Sequence, residues 1–318
     1  MRLKKVLGLL LGMTVAATMI GCGNGATDNQ TEQTELQKVV LGTMPSADAV
    51  PYGIAKEMGF FEKNGLDVEI QTFTSAKDRD AAIQAGELDG MMMDLTGVSL
   101  LKGNGVPIKV VELTQGDFVV MASAESGITD IASLKGQVVG VSHNTLIELV
   151  TDLALSDNGL TVGDVIKEEI AATPVRMQLL MENGIQAATL PQSFAMSASM
   201  GGATKIASSA DMGYQFGVLA FMEEVIDTKQ DVIKAFNTAV DEAIEYINNN
   251  DLETYMDIVM AYTGYSEEAK EIIELPEYAP VALPSEKDIT TALEWVKAKG
   301  LVPDTLAASD IVVETIIK

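Results

Sequence analysis

The stretch "LGTMPSADAVPYGIAKEMGFF" (residues 41–61) predicts a buried strand, a short polar turn and a helix that ends in an aromatic pair. Ser46, Ala47 and Asp48 stand where the strand passes into the helix. The first turn of a helix offers unpaired N–H groups and the positive end of the helix dipole. Such a turn therefore suits a ligand pocket, although Ser and Asp also cap helices routinely.

The rest of the chain alternates between two kinds of segment. Short β-branched or apolar runs predict buried strands, among them KVVLGTM, LDVEIQTF, IKVVEL, FVVMAS and QVVGVS. Helices are predicted at 52–61, 76–86, 145–158, 174–183, 229–263, 285–299 and 309–317. Strands that alternate with helices indicate mainly parallel sheets covered on both faces, and the length suffices for two lobes.

Two segments share a scheme of helix end, tight turn and short strand. They are "IQAGELDGMMMDL" (83–95) and "LMENGIQAATLPQ" (180–192), which align Asp94 with Pro191. The likeness is either a coincidence or the mark of two similar lobes. Two such lobes bring strand ends together, and ligands settle at the carboxyl ends of strands in α/β sheets.

The N-terminus predicts an exported lipoprotein. Basic residues precede an uncharged apolar stretch at 6–20, and this pattern indicates a secretory signal at residues 1–21. "MIGC" resembles a bacterial lipobox, with Met19 where Leu is commoner. The resemblance implies cleavage before Cys22 and a lipid on its sulfur, whereas an ordinary signal peptide with an incidental Cys is the alternative. Residues 22–36 are polar and aperiodic, which predicts a flexible tether.

Composition argues against most enzyme classes. The chain has one Cys and one His, so the mature domain has no disulfide and no thiol nucleophile, and zinc lacks a ligand set. No H-E-x-x-H, P-loop, G-x-S-x-G or clean G-x-G-x-x-G motif occurs. A net charge of −25 disfavours nucleic acid and anionic lipid as partners. We expect neither catalysis nor a cofactor or metal.

Three ordered motifs resemble one family. They are "P-x-x-x-x-x-P-Y-G-I-A-K-E-M-G-F-F-E-K-N-G-L-D-V-E" (45–69), "AAIQAGELDG" (81–90) and "ITDIASLKGQVVGVSHNT" (128–145). All three are similar to solute-binding proteins of the nitrate/sulfonate/taurine and thiamine-precursor (NMT1/THI5-like) import group. The resemblance covers most of residues 37–300.

The resemblance implies a two-lobed periplasmic-binding-protein-like fold of type II. Each lobe is an α/β unit with a mainly parallel sheet flanked by helices, and two crossover strands join the lobes. Lobe 1 is expected at 37–120 plus 217–318 and lobe 2 at 121–216. The implied protein is a monomer, held on the extracytoplasmic face of a bacterial cell membrane through Cys22. It captures a small molecule and delivers it to ABC permease and ATPase subunits.

Candidate ligand-binding residues stand where the predicted strands end or the lobes join. Each has an alternative role in helix capping or core packing. They are Ser46, Ala47, Asp48, Asp94, Leu95, Thr96, Phe118, Ser142, His143, Asn144, Thr145, Gln192, Ser193 and Tyr214. As a metal ligand His143 has no neighbour of the right type, so a hydrogen-bonding role is preferred.

The balance of charges near these strand ends favours one ligand class. Asp48, Asp94 and Asp117 outnumber Lys77 and Arg79, which are expected to be solvated. A nitrogen heterocycle or an amine-bearing compound is therefore preferred to a sulfonate, taurine or nitrate-type anion. A thiamine-pyrimidine enzyme on the same fold would need cysteines that the mature chain lacks. A receptor or adhesin without transport stays open.

Overall fold

The structure is a computed structural model that describes residues 35–318. The predicted signal peptide, Cys22 and nearly all of the predicted tether lie outside the described residues, so those predictions stay untested. Within 35–318, none of the helices has the length and apolar character that a membrane span requires.

The described chain alternates strands and helices. The strands are β1 (Gln37–Thr43), β2 (Leu66–Thr72), β3 (Gly90–Asp94), β4 (Ile108–Leu113), β5 (Phe118–Ala122), β6 (Val138–Val141), β7 (Ile166–Glu169), β8 (Ala187–Pro191), β9 (Thr204–Ser208) and β10 (Gly217–Met222). The α-helices are α1 (Val50–Glu57), α2 (Phe60–Lys63), α3 (Ala76–Gln84), α4 (Leu95–Gly103), α5 (Leu146–Asp157), α6 (Thr173–Met181), α7 (Gln192–Met200), α8 (Glu223–Thr228), α9 (Gln230–Asn249), α10 (Met256–Thr263), α11 (Glu286–Ala298) and α12 (Ala308–Ile311).

The strands form two five-stranded mixed sheets. Sheet 1 has the order β2-β1-β3-β10-β4, and sheet 2 has the order β7-β6-β8-β5-β9. In sheet 1 only β10 runs antiparallel to its neighbours, and in sheet 2 only β5 does so. The predicted α/β class with two mainly parallel, helix-flanked sheets is confirmed.

The chain passes between the sheets twice, through residues 114–117 and 209–216. Helices α1–α4 and α8–α12 accompany sheet 1, and α5–α7 pack on sheet 2. We call these assemblies the sheet-1 half and the sheet-2 half. Strand β5 begins at Phe118 and lies wholly in sheet 2, two residues before the expected end of lobe 1. The outer limits of the lobes stay a prediction.

Two helix predictions near the C-terminus were wrong in extent. The predicted helix at 229–263 breaks after α9, because Asn250 takes an extended conformation (φ −129°, ψ 149°) before α10 begins. Asn and Asp side chains compete for backbone hydrogen bonds, and "NNND" (248–251) ends the helix for that reason. The helix predicted at 309–317 stops at Ile311, since Val312 forms a parallel bridge with Val110 of sheet 1.

The two segments that share a sequence scheme occupy equivalent places. Strand β3 lies between β1 and β10, and β8 lies between β6 and β5. Asp89 accepts a hydrogen bond from the N–H of Val40 at 2.8 Å, and Gln186 accepts one from the N–H of Val138 at 3.3 Å. The halves therefore repeat one α/β plan, and the likeness in sequence reflects it.

The halves touch beside the sheets through an apolar contact between α4 and α5. Leu95 and Val98 on α4 belong to the same buried cluster as Leu146 and Val150 on α5. Because apolar burial is the main favourable term in protein association, this contact holds the carboxyl ends of the two sheets close together.

Candidate ligand-binding site

A cavity of about 200 Å³ lies between the halves, at the carboxyl ends of the parallel strands. Its walls include residues at or just after the carboxyl ends of β1, β2 and β3 on one side and of β6, β7 and β8 on the other. A more open depression of about 660 Å³ lies at the amino ends of β1 and β2, where Gln37 and Leu66 line it. Ligands of α/β sheets bind at carboxyl ends, so the smaller cavity is the candidate site.

Six of the residues predicted from the sequence line this cavity. They are Ser46, Asp48, Asp94, Phe118, Ser142 and Thr145. The other eight do not line it: Ala47, Leu95, Thr96, His143, Asn144, Gln192, Ser193 and Tyr214. Whether any of the fourteen contacts a ligand stays a prediction.

On the sheet-1 wall, Asp48 is buried and tied to the first passage between the sheets. Its Oδ2 accepts a hydrogen bond from the hydroxyl of Thr114 at 2.8 Å. Two glycines make room for this carboxylate, since a Cβ at Gly116 would lie 3.1 Å from Asp48 and one at Gly217 would lie 3.2 Å from it. Asp48 is thus positioned by tertiary contacts, and it does not cap a helix through its side chain.

Asp94 both caps a helix and lines the cavity. Its Oδ1 accepts a hydrogen bond from the N–H of Gly97 at 2.8 Å, which caps α4. Burial raises the pKa of Asp94 above its ordinary value. Ser46 makes no capping bond, because its hydroxyl donates to the carbonyl of Met44 at 3.2 Å.

Arg79 also lines the cavity, so the expectation that it is solvated was wrong. Its side chain is buried, and Nη1 donates to the carbonyl of Met92 at 2.8 Å. Nη2 forms an ion pair with Asp80 at 2.8 Å, which balances the guanidinium charge. The buried carbonyl of Met92 needs a hydrogen-bond donor, and this need fixes the position of the Arg79 side chain. Lys77 is exposed and does not line the cavity.

Arg176 lines the sheet-2 wall and was missed in the sequence. It is fully buried, and its guanidinium donates to the carbonyls of Thr189 (2.9 Å), Ile170 (2.6 Å) and Ala171 (3.4 Å). Within residues 35–318 it forms no ion pair with a carboxylate. Burial lowers the pKa of Arg176 to about 10, so it remains a cation at neutral pH.

The beginning of α5 completes the sheet-2 wall. Thr145 caps this helix, with its Oγ1 accepting from the N–H of Ile147 at 3.3 Å, and its hydroxyl donates to the carbonyl of Ser142. Asn144 has a positive φ of 60°, and its N–H donates to Glu148 at 2.7 Å. His143 is exposed, and its N–H donates to Glu169.

The remaining predicted residues lie behind or beside the cavity. Leu95, Thr96 and Ser193 are buried within the first turns of α4 and α7. These positions turn inward because the helix begins directly at the strand end. Ala47 is also buried, and its carbonyl accepts from the hydroxyl of Tyr278 at 2.6 Å.

Two further predicted residues contact other parts of the sheet-1 half. The side-chain amide of Gln192 reaches the carbonyl of Glu274 at 3.5 Å. Tyr214 stacks on Phe216, and the ammonium of Lys287 lies 3.7 Å above its ring. These contacts account for the side chain of Tyr214. The side-chain carbonyl oxygen of Gln192 is buried and has no hydrogen-bond partner in the described chain.

The two walls differ in charge. Asp48 and Asp94 line the sheet-1 wall, and neither forms an ion pair with Lys or Arg in the part of the chain that the structure describes. The sheet-2 wall has the unpaired cation Arg176 and the N-terminus of the 12-residue helix α5. The site therefore offers negative charge from one half and positive charge from the other.

Curated relatives match part of the chain. A putative binding protein of Brucella abortus is 33% identical over 112 residues, which are 35% of this chain and 34% of the relative. A putative aliphatic sulfonates-binding protein of Bacillus subtilis is 28% identical over 146 residues, 43% of this chain and 42% of the relative. The chain thus spans about a third to two fifths of the length of these relatives.

A solved structure shares the fold over nearly its whole length. The ligand-binding component of an ABC-type import system from Staphylococcus aureus, solved with zinc bound, superposes with a TM-score of 0.74 at 17% identity. The superposition covers 87% of this chain and 96% of that one. The family model described as NMT1/THI5 like matches residues 46–253, more than half of the chain. The chain belongs to the NMT1/THI5-like family.

Proposed function

We propose that this chain is the solute-binding subunit of an ABC importer. The observation that carries the proposal is the cavity, which both halves line with the carboxyl ends of their parallel strands. A ligand that contacts both halves at once favours their closed arrangement, and release follows when the halves separate. The Staphylococcus aureus structure with this fold is a component of an ABC-type import system, which supports the same role here.

We further propose that the ligand is a small molecule with a basic end and an acidic end. A positive amine matches the carboxylates of Asp48 and Asp94, which have no Lys or Arg partner in the described chain. An acidic group matches the charge of Arg176 and the N-terminus of α5, which lines the cavity. The cavity of about 200 Å³ is below the ~300–1,000 Å³ that drug-sized ligands occupy, so the ligand is compact.

Arg176 contributes its charge to this site more than free donors. Its N–H groups already bind the carbonyls of Ile170, Ala171 and Thr189. Direct hydrogen bonds to an acidic group would come from the backbone N–H groups of the cavity-lining Thr145 and Leu146, because the N–H of Ile147 already donates to Thr145 Oγ1. In a cavity closed to water such a fixed charge acts strongly on a nearby anion.

A simple anion is the second candidate. It is favoured by the lack of a carboxylate partner for Arg176 and by the name of the Bacillus subtilis relative, an aliphatic sulfonates-binding protein. Two unpaired carboxylates in the same cavity disfavour it, because a second negative charge beside them is costly. The nitrogen heterocycle preferred from the sequence satisfies Asp48 and Asp94 and leaves Arg176 without an acidic partner.

A thermal-shift comparison tests the ligand class. The purified full chain is heated with taurine, ethanesulfonate, ethylamine or a cationic aminopyrimidine, each at the same millimolar concentration. A ligand present at a hundred times its dissociation constant adds about 2.7 kcal/mol to the free energy of unfolding. We expect taurine, which has both ends, to raise Tm most.

Each other result selects a different reading. An equal shift with ethanesulfonate supports the simple anion. A shift with ethylamine or the aminopyrimidine alone supports the amine or heterocycle predicted from the sequence. No shift with any of the four rejects the cavity as a site for molecules of this size and charge.

A further inference from the structure

A cluster of charged side chains joins the halves beside the cavity. The carboxylate of Glu148 on α5 accepts hydrogen bonds from Lys299, which follows α11, and from Lys167 on β7 at 2.9 Å. One turn further along α5, Asp152 accepts a hydrogen bond from the indole N–H of Trp295 on α11 at 3.0 Å. We call Glu148, Asp152, Lys167, Trp295 and Lys299 the α5–α11 cluster.

The cluster links two elements that belong to different sheets. Helix α11 packs against α4 in the sheet-1 half, whereas α5 packs against β5 and β8 of sheet 2. The bonds from Lys299 and Trp295 therefore cross from one half to the other. Lys299 is also held by Trp295, since its ammonium lies 4.4 Å above the indole ring.

Glu148 connects this contact to the cavity wall. Thr145, Leu146 and Ile147 line the cavity, and Glu148 is the next residue. Its Oε2 accepts a hydrogen bond from the N–H of Asn144 as well as from Lys299. Lys299 of the sheet-1 half thus holds the carboxylate of Glu148, and this carboxylate in turn holds the backbone of Asn144 at the beginning of α5.

The partners of Glu148 make the contact reversible. Glu148 is 4% exposed, and a buried carboxylate left without a partner is strongly destabilising. Lys167 belongs to the same half as Glu148 and also forms an ion pair with Asp152. When the halves separate, Glu148 and Asp152 keep Lys167, so only the bonds to Lys299 and Trp295 are lost.

We propose that Lys299 and Trp295 are positioning residues that clasp the sheet-1 half to α5, hold the first turn of α5 at the cavity wall and set the fraction of closed molecules. The proposal rests on the proposed function only in treating the cavity as the ligand site. The clasp itself needs no ligand.

The test compares two lysines near the end of α11. Lys299→Met removes the bond to Glu148. Lys297→Met is the matched control, because Lys297 pairs with Glu294 on its own helix. The full-chain proteins are examined without ligand by small-angle X-ray scattering and by hydrogen exchange of the amides at 144–148. Thermal melting checks that each variant folds.

For Lys299→Met we expect a larger radius of gyration and roughly tenfold faster exchange at 144–148, which corresponds to about 1.4 kcal/mol. Lys297→Met should match the wild type in both measurements. Trp295→Phe, which keeps an aromatic ring but loses the N–H donor, should change both in the same direction as Lys299→Met.

Two outcomes would overturn the clasp. In the first, Lys299→Met folds and leaves both the scattering and the exchange unchanged. In the second, Lys297→Met changes them equally, which would assign the effect to the stability of α11. Neither outcome depends on the thermal-shift comparison, so failure of the clasp and failure of the proposed ligand site are distinguishable.

Discussion

Each wall of the cavity has an arginine at the equivalent position of the α/β plan that the two halves share. Arg79 is the fourth residue of α3 and Arg176 is the fourth residue of α6. Each donates to a carbonyl on the third parallel strand of its sheet, Met92 for Arg79 and Thr189 for Arg176. In both halves this hydrogen bond ties the helix that carries the arginine to the end of the neighbouring strand.

The walls differ in what surrounds the arginine. Arg79 has Asp80 as an ion-pair partner, and the strand β3 ends in the cavity-lining Asp94. Arg176 has only uncharged acceptors in the described chain, and β8 ends in Pro191. A common scaffold therefore carries opposite charges on its two sides, and the charges decide which end of a ligand each side accepts.

The largest expected contrast between the halves concerns a buried acid in the edge strands. Leu219 of β10 pairs with Glu112 on β4, and the equivalent Val120 of β5 pairs with Ala207 on β9. Burial raises the pKa of Glu112 to about 8, although the hydroxyl of Tyr52 donates to it.

The pH dependence of stability follows from this pKa. In the unfolded chain the carboxyl ionises near 4.5, whereas in the folded chain it stays protonated up to about pH 8. Its contribution to stability is full below pH 4.5 and falls by about 4 kcal/mol as the pH rises to 8. The charged neighbours Asp241 and Lys318 act on the pKa of Glu112 in opposite directions. Urea unfolding at pH 5 and pH 8 measures the loss.

Glu112→Gln keeps an acceptor for Tyr52 and removes the ionisation. The variant should lose much less stability between pH 5 and pH 8 than the wild type. Equal slopes for the two proteins would show that Glu112 does not carry the pH dependence.

Replacing each arginine with methionine compares the two walls directly. Arg176→Met leaves three carbonyls and the hydroxyl of Thr173 without their donor and should lower the free energy of unfolding by about 3 kcal/mol. Arg79→Met removes one buried bond to a carbonyl and a partner of the half-buried Asp80, so we expect about 1 kcal/mol. Urea unfolding at pH 7 measures both, and equal losses would contradict the difference between the walls.

Asp94→Asn tests the negative side of the site. Asn caps helices as well as Asp does, so the bond to Gly97 and the stability should be retained. The affinity for taurine, measured by calorimetry, should fall at least about tenfold, equivalent to about 1.4 kcal/mol. Asp130→Asn is the control, since Asp130 accepts from Ser133 in an exposed turn. Unchanged affinity in Asp94→Asn would assign Asp94 to capping alone.

Pro191→Asp gives the sheet-2 wall the residue that the sheet-1 wall has. Pro191 precedes α7 and makes no capping bond, so a carboxylate there should add about 0.5–1 kcal/mol to stability. It should also weaken taurine binding, because it offers Arg176 an ionic partner. Thermal melting and calorimetry measure the two effects. A gain in stability with unchanged binding would mean that the charge of Arg176 is not used.

The order of strands and helices could be predicted from the sequence, because hydrophobic periodicity is a property of short segments. The strand and the turn at 41–49, the strand runs and most helices came out as predicted. The helix predicted at 52–61 is divided at Gly59, so the aromatic pair begins α2 and does not end α1. The errors lie where local signals compete, as at Asn250, or where a distant strand captures the chain, as at Val312. Both depend on tertiary contacts that no short window contains.

Only part of the candidate site could be predicted from the sequence. The rule that ligands meet strand carboxyl ends selected Ser46, Asp94 and Thr145, which line the cavity. Thr96 and Ser193 do not line it, because a helix that begins at the strand end turns its second residue inward. Arg176 looks like a surface residue in "TPVRMQ". Only the alignment of the two halves, which pairs it with Arg79, would have revealed it.

The position of β10 has a consequence for how the chain assembles. Strand β10 lies between β3 and β4, so sheet 1 is incomplete until residues 217–222 arrive. All strands of sheet 2 lie between β4 and β10 in the chain. The sheet-2 half is thus continuous and forms from nearer contacts, which cost less loop-closure entropy. We therefore expect β1–β4 to stay an incomplete sheet while sheet 2 forms, and β10 to complete sheet 1 afterwards.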